Sequence, residues 1–223
     1  MITVIIPVFN EKNTIASCLQ KVFQSPLKKQ VIVVDDASTD GTSVMLSDLK
    51  KSYPFELISH EKNMGKGAAI KTAINLIAGE AVIIQDADLE YDPNEYEDVL
   101  GPIIRGEEMI VYGSRNLRKN GRSSLSFYLG GKLITAVANF LYRTKLTDIN
   151  TCYKGFSSSV IKFLNISNSR FDFCEEVTAK AIKAGYRIKE VPISYYPRSM
   201  QDGKKIRPSD GLRAIATLLR NRF

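Results

Sequence analysis

The sequence predicts an α/β fold with a mostly parallel sheet and helices on both of its faces. Short, nearly continuous apolar runs at residues 2–9, 31–34 and 81–84 are typical of strands buried on both faces. Segments with apolar residues at helical spacing separate these runs, so strand and helix alternate through the first half of the chain. The 223 residues suffice for one such domain and are too few for two, so we expect a single domain over residues 1–223.

Four strands and three helices are predicted in the first half. The strands cover residues 2–9, 31–34, 55–59 and 81–84. Asn13 is the expected N-cap of the first helix. The apolar faces of the three helices consist of Ile15, Cys18, Leu19 and Val22, of Val44, Met45 and Leu49, and of Ile70, Ala73, Ile74 and Ile77.

The second half begins with a fifth strand at residues 109–112 and then changes character. Residues 125–142 predict a helix interrupted at Gly130-Gly131, and residues 151–157 and 188–195 predict further strands. A C-terminal helix follows a polar loop. Its inward-facing stripe is expected to consist of Leu212, Ile215, Ala216 and Leu219.

The composition indicates a folded protein with reduced thiols. Apolar residues make up 44% of the chain and charged residues 25%, as in folded soluble domains. Cys18, Cys152 and Cys174 are scattered without a CxxC pair, which argues for a cytoplasmic, reducing compartment and against a zinc site. The single histidine, His60, lies in a polar loop, which argues against a Ser-His-Asp system. We expect no signal peptide and no segment that crosses a bilayer.

The net charge of +7 is concentrated in two segments. Seven basic residues and no acidic residue lie between Glu108 and Asp148, and the segment from Arg198 to the C-terminus has seven basic and two acidic residues. The first segment includes the apolar helix predicted at residues 125–142, and cations beside an apolar helix are typical of a peripheral membrane contact. A core helix with solvated loop charges explains this pattern equally well.

Four polar clusters follow predicted strands of the first half. They are Asn10-Glu11, Asp35-Asp36, residues 63–67 and Asp86-Ala87-Asp88. Because ligands of such sheets bind beyond the carboxyl ends of the strands, we expect the four clusters to meet at one edge and to form the functional site.

The acidic cluster after the fourth strand is the best candidate for a metal site. Asp86, Asp88 and Glu90 form an all-oxygen set suited to Mg²⁺ or Mn²⁺, and a metal there would bridge the two phosphates of a nucleoside diphosphate. The alternative is a solvated acidic turn that leads to a helix capped by Asp92 and beginning at Pro93. The buried strand directly before the cluster fixes it at the sheet edge, which favours the metal site.

Two other clusters have both a functional and a structural interpretation. Asp35 and Asp36 are suited to accept hydrogen bonds from a ribose or a base, whereas helix capping explains Ser38 and Asp40. The loop at residues 63–67 resembles a phosphate loop but lacks the full GxxxxGK[ST] spacing, and an ordinary glycine turn before a helix explains it better.

Together these motifs resemble inverting family 2 glycosyltransferases of the Rossmann-like GT-A fold. The motifs are IIPVFNE, VVDDASTDG, NMGKG and DAD, which begin at residues 5, 33, 63 and 86. Gly113-Ser114-Arg115, residues 148–154 and residues 190–193 with the following Arg198 are similar to the dolichyl-phosphate mannose synthase-like, polyprenyl-phosphate branch. The match spans nearly the whole chain in the right order.

The resemblance implies a role for each matching residue. Residues 1–113 would form the nucleotide-sugar half, and residues 114–223 the acceptor half with membrane-facing helices. In the first half, the resemblance implies nucleotide contacts by Pro7, Asn10, Glu11, Asp36, Lys66 and Asp86, and a Mg²⁺ or Mn²⁺ site at Asp86 and Asp88, with Glu90 where relatives often have Gln. In the second half, it implies that Arg115, Lys132, Arg198 and Lys205 face an acceptor phosphate.

The implied reaction is transfer of a hexose, with inversion, from a GDP-mannose or UDP-glucose type of donor to a polyprenyl phosphate. A phosphate acceptor needs no general base, but it needs cations to bind it. Arginine is suited to bind phosphate in this way. Asp88, Arg115 and Arg198 would then carry catalysis. A hydroxyl acceptor on a glycan or lipid would require a base, and Asp148 is either that base or an ordinary turn residue.

Location and rival functions follow from the same features. We expect a cytoplasmic protein, peripheral on the cytoplasmic face of a membrane, that reaches the membrane by adsorption or through a membrane-protein partner.

Nucleic-acid binding, suggested by the pI of about 9.2, leaves the acidic cluster and the buried sheet unexplained, so we expect no nucleic-acid partner. A non-enzymatic sugar-nucleotide-binding protein would bind the donor without turnover.

Overall fold

The computed structural model describes residues 1–121, 125–167, 172–198 and 208–223, apart from the side chains of residues 208 and 209. The described residues form one sheet and the helices around it. In chain order the elements are β1 (Ile2–Val8), α1 (Ile15–Gln24), β2 (Lys29–Asp35), α2 (Thr42–Leu49), β3 (Glu56–Ser59), α3 (Lys66–Ile74), β4 (Ala81–Ile84), a 3-10 turn (Pro93–Glu95), α4 (Tyr96–Ile104), β5 (Ile110–Ser114), α5 (Leu125–Tyr142), β6 (Lys154–Ser157), α6 (Ser158–Phe163), α7 (Phe173–Lys183), β7 (Lys189–Pro192) and α8 (Pro208–Arg222).

The seven strands lie in the order β3-β2-β1-β4-β6-β5-β7. The four strands of the first half are parallel, and β5 pairs with β7 in parallel. Only β6 runs antiparallel to its neighbours, β4 and β5. The predicted mostly parallel sheet is therefore confirmed, and the antiparallel β6 is a feature that the sequence pattern did not predict.

The central strands are buried because helices cover both faces of the sheet. Every residue of β4 is buried, and so is every residue of β1 except the half-buried Pro7. Continuous apolar runs of this kind have no polar side to turn to solvent, so two helical layers are needed to cover them. Register pairs Val8 with Asp35 and Ile5 with Ile84, so the loops after β1, β2 and β4 leave the sheet at the same edge.

Two local predictions about helices are wrong. Helix α5 continues through Gly130-Gly131 without interruption, because the packing of Thr135, Ala138 and Tyr142 offsets a cost of about 1 kcal/mol per glycine. The N-cap position of α1 is occupied by Thr14, not Asn13.

The C-terminal helix α8 turns a different face inward from the one predicted. It buries Ala214, Thr217 and Leu218, whereas Leu212 is 74% exposed and Leu219 is 42% exposed. Two hydrogen bonds fix this rotation, from the Tyr142 hydroxyl to the Leu218 carbonyl (2.7 Å) and from Thr217 Oγ1 to the Asp172 carboxylate (2.8 Å). Leu212 and Leu219 therefore face outward, whereas Leu218 faces the core.

Helices α6 and α7 were not predicted. The six residues of α6 are too few for a periodic signal. Helix α7 buries Glu175, Glu176 and Thr178 together with Val177, and these polar residues interrupt the apolar period. None of the helices that the structure describes has the length and hydropathy that a bilayer span requires.

Candidate active site

The polar clusters predicted at the sheet edge lie in the loops after β1, β2 and β4 and at the start of α3. The loops after β1 and β2 are tied together by hydrogen bonds. The Asn10 backbone N–H donates to Ser38 Oγ (2.9 Å), and Asn10 Oδ1 accepts a bond from the Thr39 backbone N–H (2.7 Å). The Glu11 backbone N–H donates to Thr42 Oγ1 (3.0 Å). The predicted convergence on one edge is therefore present.

Lys66, the first residue of α3, forms an ion pair with Asp86. Its Nζ lies 2.6 Å from Asp86 Oδ1 and 2.8 Å from Oδ2. Burial lowers the pKa of Lys66, but the Asp86 carboxylate more than offsets this and holds the pKa well above its usual range. A fixed positive charge therefore stands beside the first carboxylate of the acidic cluster.

Asp88 is a buried carboxylate that lacks sufficient positive charge around it. Burial raises its pKa to about 7, the negative charges of Asp86 and Glu90 add to the increase, and the Arg198 guanidinium opposes it. The next residue, Leu89, has a φ of 65°, a left-handed conformation that costs a non-glycine residue about 1 kcal/mol. The chain therefore turns sharply within the cluster.

The Glu90 side chain bonds to the segment after β7. Its carboxylate accepts hydrogen bonds from the Tyr195 hydroxyl (2.9 Å) and the Arg198 backbone N–H (2.8 Å). Among the residues that the structure describes, no group of three or more His, Cys, Asp or Glu side chains is arranged to hold a metal ion. Among the described residues, the expected three-carboxylate set of Asp86, Asp88 and Glu90 is therefore not arranged as one metal site, and the Glu90 carboxylate bonds to the segment after β7 instead.

Arg198 enters the acidic cluster from the second half of the chain. Its Nη1 lies 3.0 Å from Glu11 Oε2, and its Nη2 lies 3.3 Å from Asp88 Oδ2. Burial lowers its pKa, but the two carboxylates raise it by more, so Arg198 stays charged. The acceptor-side arginine predicted from the sequence is therefore a neighbour of the candidate metal site.

Arg115 forms a bidentate ion pair with Asp148. Its Nε and Nη2 lie 2.7 and 2.8 Å from the Asp148 carboxylate, to which its backbone N–H also donates (3.1 Å). Burial raises the pKa of Asp148, but Arg115 more than offsets this, so the pKa is lowered. A carboxylate held in this way is a weak proton acceptor, which argues against Asp148 as a general base.

Asp36 orders the loop before α3. Its carboxylate accepts bonds from the backbone N–H groups of Met64 (2.9 Å) and Gly65 (2.7 Å) and pairs with His60 Nδ1 (2.7 Å). Gly65 has a φ of 96°, a conformation that favours glycine. Asp36 was expected to contact the nucleotide, but its oxygens are already engaged with this loop. His60 lies in the loop between β3 and α3, as predicted, and its side chain is only 8% exposed.

Of the two other expected phosphate ligands, one is not joined to this cluster and one lies outside the described residues. Lys132 lies on α5, with its Nζ 5.7 Å from the centre of the Tyr128 ring, and none of its described contacts is with the acidic cluster. Lys205 lies outside the described residues. By contrast, the sequence interpretation missed Tyr195, which bonds to Glu90 and lies against Arg115. Its only signal was its position at the end of a predicted strand.

The family model described as glycosyl transferase family 2 matches residues 3–164 of the chain. The low-salt glycan biosynthesis hexosyltransferase Agl6 of Haloferax volcanii is 26% identical, over 99% of this chain and 53% of that protein. The dodecaprenyl-phosphate galacturonate synthase of Rhizobium johnstonii is 25% identical, over 88% of this chain and 59% of that protein. The chain thus spans less than two thirds of the length of these two relatives.

A solved structure supports the fold assignment. Glucosyl-3-phosphoglycerate synthase from Mycobacterium tuberculosis, in complex with Mn²⁺, uridine diphosphate and glucosyl-3-phosphoglycerate, superposes with a TM-score of 0.78 at 20% identity. The superposition covers 99% of this chain and 79% of that one. The predicted GT-A fold class is therefore confirmed.

Proposed function

Because the chain belongs to glycosyl transferase family 2, we propose that it transfers a hexose from a nucleoside diphosphate sugar to a polyprenyl phosphate with inversion. The donor would be of the GDP-mannose or UDP-glucose type. The observation that carries this proposal is the sheet-edge cluster in which Asp86 and Asp88 meet a lysine from the first half of the chain and an arginine from the second.

Asp86 and Asp88 suit a divalent cation. Both are carboxylates at the end of a buried strand, and oxygen ligands are those that Mg²⁺ and Mn²⁺ prefer. The shortage of positive charge around Asp88 supports the same ligand. We propose that these two residues hold the metal, which when bound would neutralise the charge that develops on the nucleoside diphosphate leaving group. Mn²⁺ and uridine diphosphate in the related mycobacterial structure support this choice.

The donor half would bind the rest of the nucleotide sugar. Lys66 is a partly buried cation beside Asp86 and is suited to meet a diphosphate oxygen. Pro7, Asn10 and Glu11 follow or end β1 at the same edge, and Asp36 would act by shaping the loop before α3. We propose that residues 1–113 supply these donor contacts and that the acceptor binds to residues beyond them.

Arg115 and Arg198 would bind the acceptor phosphate. Each guanidinium has five N–H donors, so each can keep a carboxylate partner and still meet a phosphate oxygen. A phosphate oxygen is anionic at neutral pH and attacks the anomeric carbon without a general base, which agrees with the lowered pKa of Asp148. The related dodecaprenyl-phosphate galacturonate synthase supports a polyprenyl phosphate as the acceptor.

A membrane-facing surface would bring the enzyme to such an acceptor. Helix α5 buries Thr135, Ala138 and Tyr142 and exposes several large apolar side chains. Helix α8 buries Ala214, Thr217 and Leu218 and exposes Leu212 and Leu219. The α5–α8 face is defined by the exposed residues Leu125, Leu129, Leu133, Phe140, Leu212, Leu219 and Phe223. Exposed basic residues on or next to the same helices, among them Arg143, Arg213 and Arg220, suit anionic lipid.

The proposed reaction can be tested by the release of nucleoside diphosphate from a panel of GDP- and UDP-sugars, with and without a short polyprenyl phosphate. We expect one donor to turn over only when both the lipid phosphate and Mn²⁺ or Mg²⁺ are present. Donor binding without turnover under any of these conditions would instead identify a sugar-nucleotide-binding protein. Calorimetry of UDP and GDP with Mn²⁺ or EDTA, on wild type and Asp88→Ala, tests the metal site separately.

A further inference from the structure

The Glu90 side chain bonds to two residues in the described part of the segment that carries Arg198. Its carboxylate accepts the Tyr195 hydroxyl through Oε2 (2.9 Å) and the Arg198 backbone N–H through Oε1 (2.8 Å). The Glu90 carbonyl accepts a third bond from the Tyr196 backbone N–H (2.9 Å). The residue two positions after Asp88 thus fixes the backbone on which the Arg198 side chain is mounted.

Tyr195 extends this connection to the other acceptor-side arginine. The guanidinium carbon of Arg115 lies 5.0 Å from the centre of the Tyr195 ring. The Tyr195 backbone N–H donates to Asn120 Oδ1 (3.0 Å), and Asn120 Nδ2 donates to the Arg115 carbonyl (2.8 Å). The Tyr195 ring therefore contacts the Arg115 side chain, and the Tyr195 backbone is linked through Asn120 to the Arg115 backbone.

We infer that Glu90 is a positioning residue rather than a metal ligand, and that with Tyr195 it sets Arg115 and Arg198 relative to the acidic cluster. This inference rests on the proposed function, because the two arginines are taken to bind the acceptor phosphate. Its consequence is a physical link between the halves of the site: the turn that carries Asp88 also holds the acceptor-side cations in place.

The two possible roles of Glu90, metal ligand and positioning residue, predict different effects when its charge is removed. A metal ligand loses affinity when the carboxylate becomes a neutral amide, because hard cations prefer anionic oxygen. A positioning residue tolerates Glu90→Gln, since the amide oxygen can accept the Arg198 N–H while the amide nitrogen donates to the Tyr195 hydroxyl, which is both donor and acceptor. Glu90→Ala removes both bonds.

The test compares Glu90→Gln, Glu90→Ala and Tyr195→Phe with wild type, and uses Glu97→Ala, an exposed carboxylate on α4, as the matched control. Residue-resolved amide hydrogen exchange without metal or substrate provides the first measurement. We expect the Arg198 amide to exchange at least about tenfold faster in Glu90→Ala, because its acceptor is gone. The Tyr196 amide, which bonds to a backbone carbonyl, should change far less, and Glu90→Gln should resemble wild type.

Calorimetry with Mn²⁺ and UDP, followed by transfer kinetics, completes the test. We expect Mn²⁺ affinity to fall by no more than about threefold in the Glu90 variants, because a nearby charge that is not a ligand acts on the metal only at a distance. The acceptor KM should rise about tenfold in Glu90→Ala with the donor KM unchanged. Tyr195→Phe should show part of that effect, and its combination with Glu90→Ala should be no worse than Glu90→Ala alone, because both act through one hydrogen bond.

Two results would overturn the inference. One is a loss of Mn²⁺ affinity of at least about tenfold in Glu90→Gln, which would make Glu90 a ligand. The other is an unchanged Arg198 amide in Glu90→Ala. If wild type transfers no sugar to a polyprenyl phosphate, the proposed function fails, whereas the exchange measurement still decides whether Glu90 positions the Arg198 segment.

Discussion

Arg198 places Nη2 3.3 Å from Asp88 Oδ2 while Nη1 lies 3.0 Å from Glu11 Oε2. A guanidinium thus stands next to one of the two carboxylates that would hold a divalent cation. Two cations that share Asp88 repel each other, so Arg198 should weaken metal binding as long as no phosphate has drawn it away. The same side chain would therefore oppose the metal before the substrate arrives and assist the acceptor afterwards.

We expect Arg198→Gln to raise the affinity for Mn²⁺ without nucleotide by about threefold to tenfold, because a partly buried like charge is removed. The same variant should lose sugar transfer to the lipid phosphate. Calorimetry measures the first effect and turnover the second, with Arg105→Gln as control, since Arg105 is exposed and pairs with Glu107. Unchanged or weaker Mn²⁺ binding in Arg198→Gln would contradict this account of the site.

Arg115→Lys should impair acceptor use and leave donor binding intact. Arg115 can keep its two parallel bonds to Asp148 and still bond to a phosphate oxygen, whereas lysine supplies only a point charge. The acceptor complex therefore loses a charged hydrogen bond, which contributes about 1.5–3 kcal/mol. We expect the acceptor KM to rise, or kcat to fall, by roughly tenfold to 100-fold. Lys119→Ala, a change at an exposed residue of the same loop, is the control. Loss of donor binding alone, or wild-type rates, would show that the acceptor is placed wrongly.

The α5–α8 face should bind anionic vesicles. Replacement of both Leu133 and Phe140 by Asp should weaken binding by at least about tenfold, since each exposed side chain would contribute about 1.5–3 kcal/mol on burial in lipid. Val44→Asp, at an exposed position on α2, is the matched control and should bind like wild type. Sedimentation with phosphatidylserine vesicles over a range of salt concentrations measures the effect. Equal binding by the double variant, or none by wild type at low salt, would contradict the prediction.

Glu175 should make stability depend on pH. Burial raises its pKa to about 7 from a usual value of 4.5, so the folded state binds the proton more tightly than the unfolded state does. The stability that this group contributes is complete below pH 4.5 and is lost as pH rises through 7.

We therefore expect Glu175→Gln to stabilise the protein at pH 8 by about 2 kcal/mol, and by little at pH 4.5. The pKa of about 7 already includes the attraction of the buried Lys154, which lowers it. Urea unfolding at both pH values measures the difference, with the exposed Glu97→Gln as control. A gain that does not grow between the two pH values would contradict the raised pKa.

The sequence by itself determined the parallel half of the fold and the position of the acidic cluster. Residues 81–84 are apolar at every position, so the strand they form must be covered on both faces, and a carboxylate directly after such a strand is forced to the sheet edge. The same reasoning applies to the clusters after β1 and β2. These conclusions depend only on local pattern and on the cost of burying charge.

Only the tertiary structure decided which carboxylates are paired and which helix faces are buried. Glu90 and Arg198 are 108 residues apart in sequence, so no local pattern could show that one holds the backbone of the other. The rotation of α8 depends on Tyr142 and Asp172, which lie in other parts of the chain. Ion pairs and helix orientation arise from contacts that folding brings together, and such contacts are selected by the packing of the whole molecule rather than by the spacing of neighbouring residues.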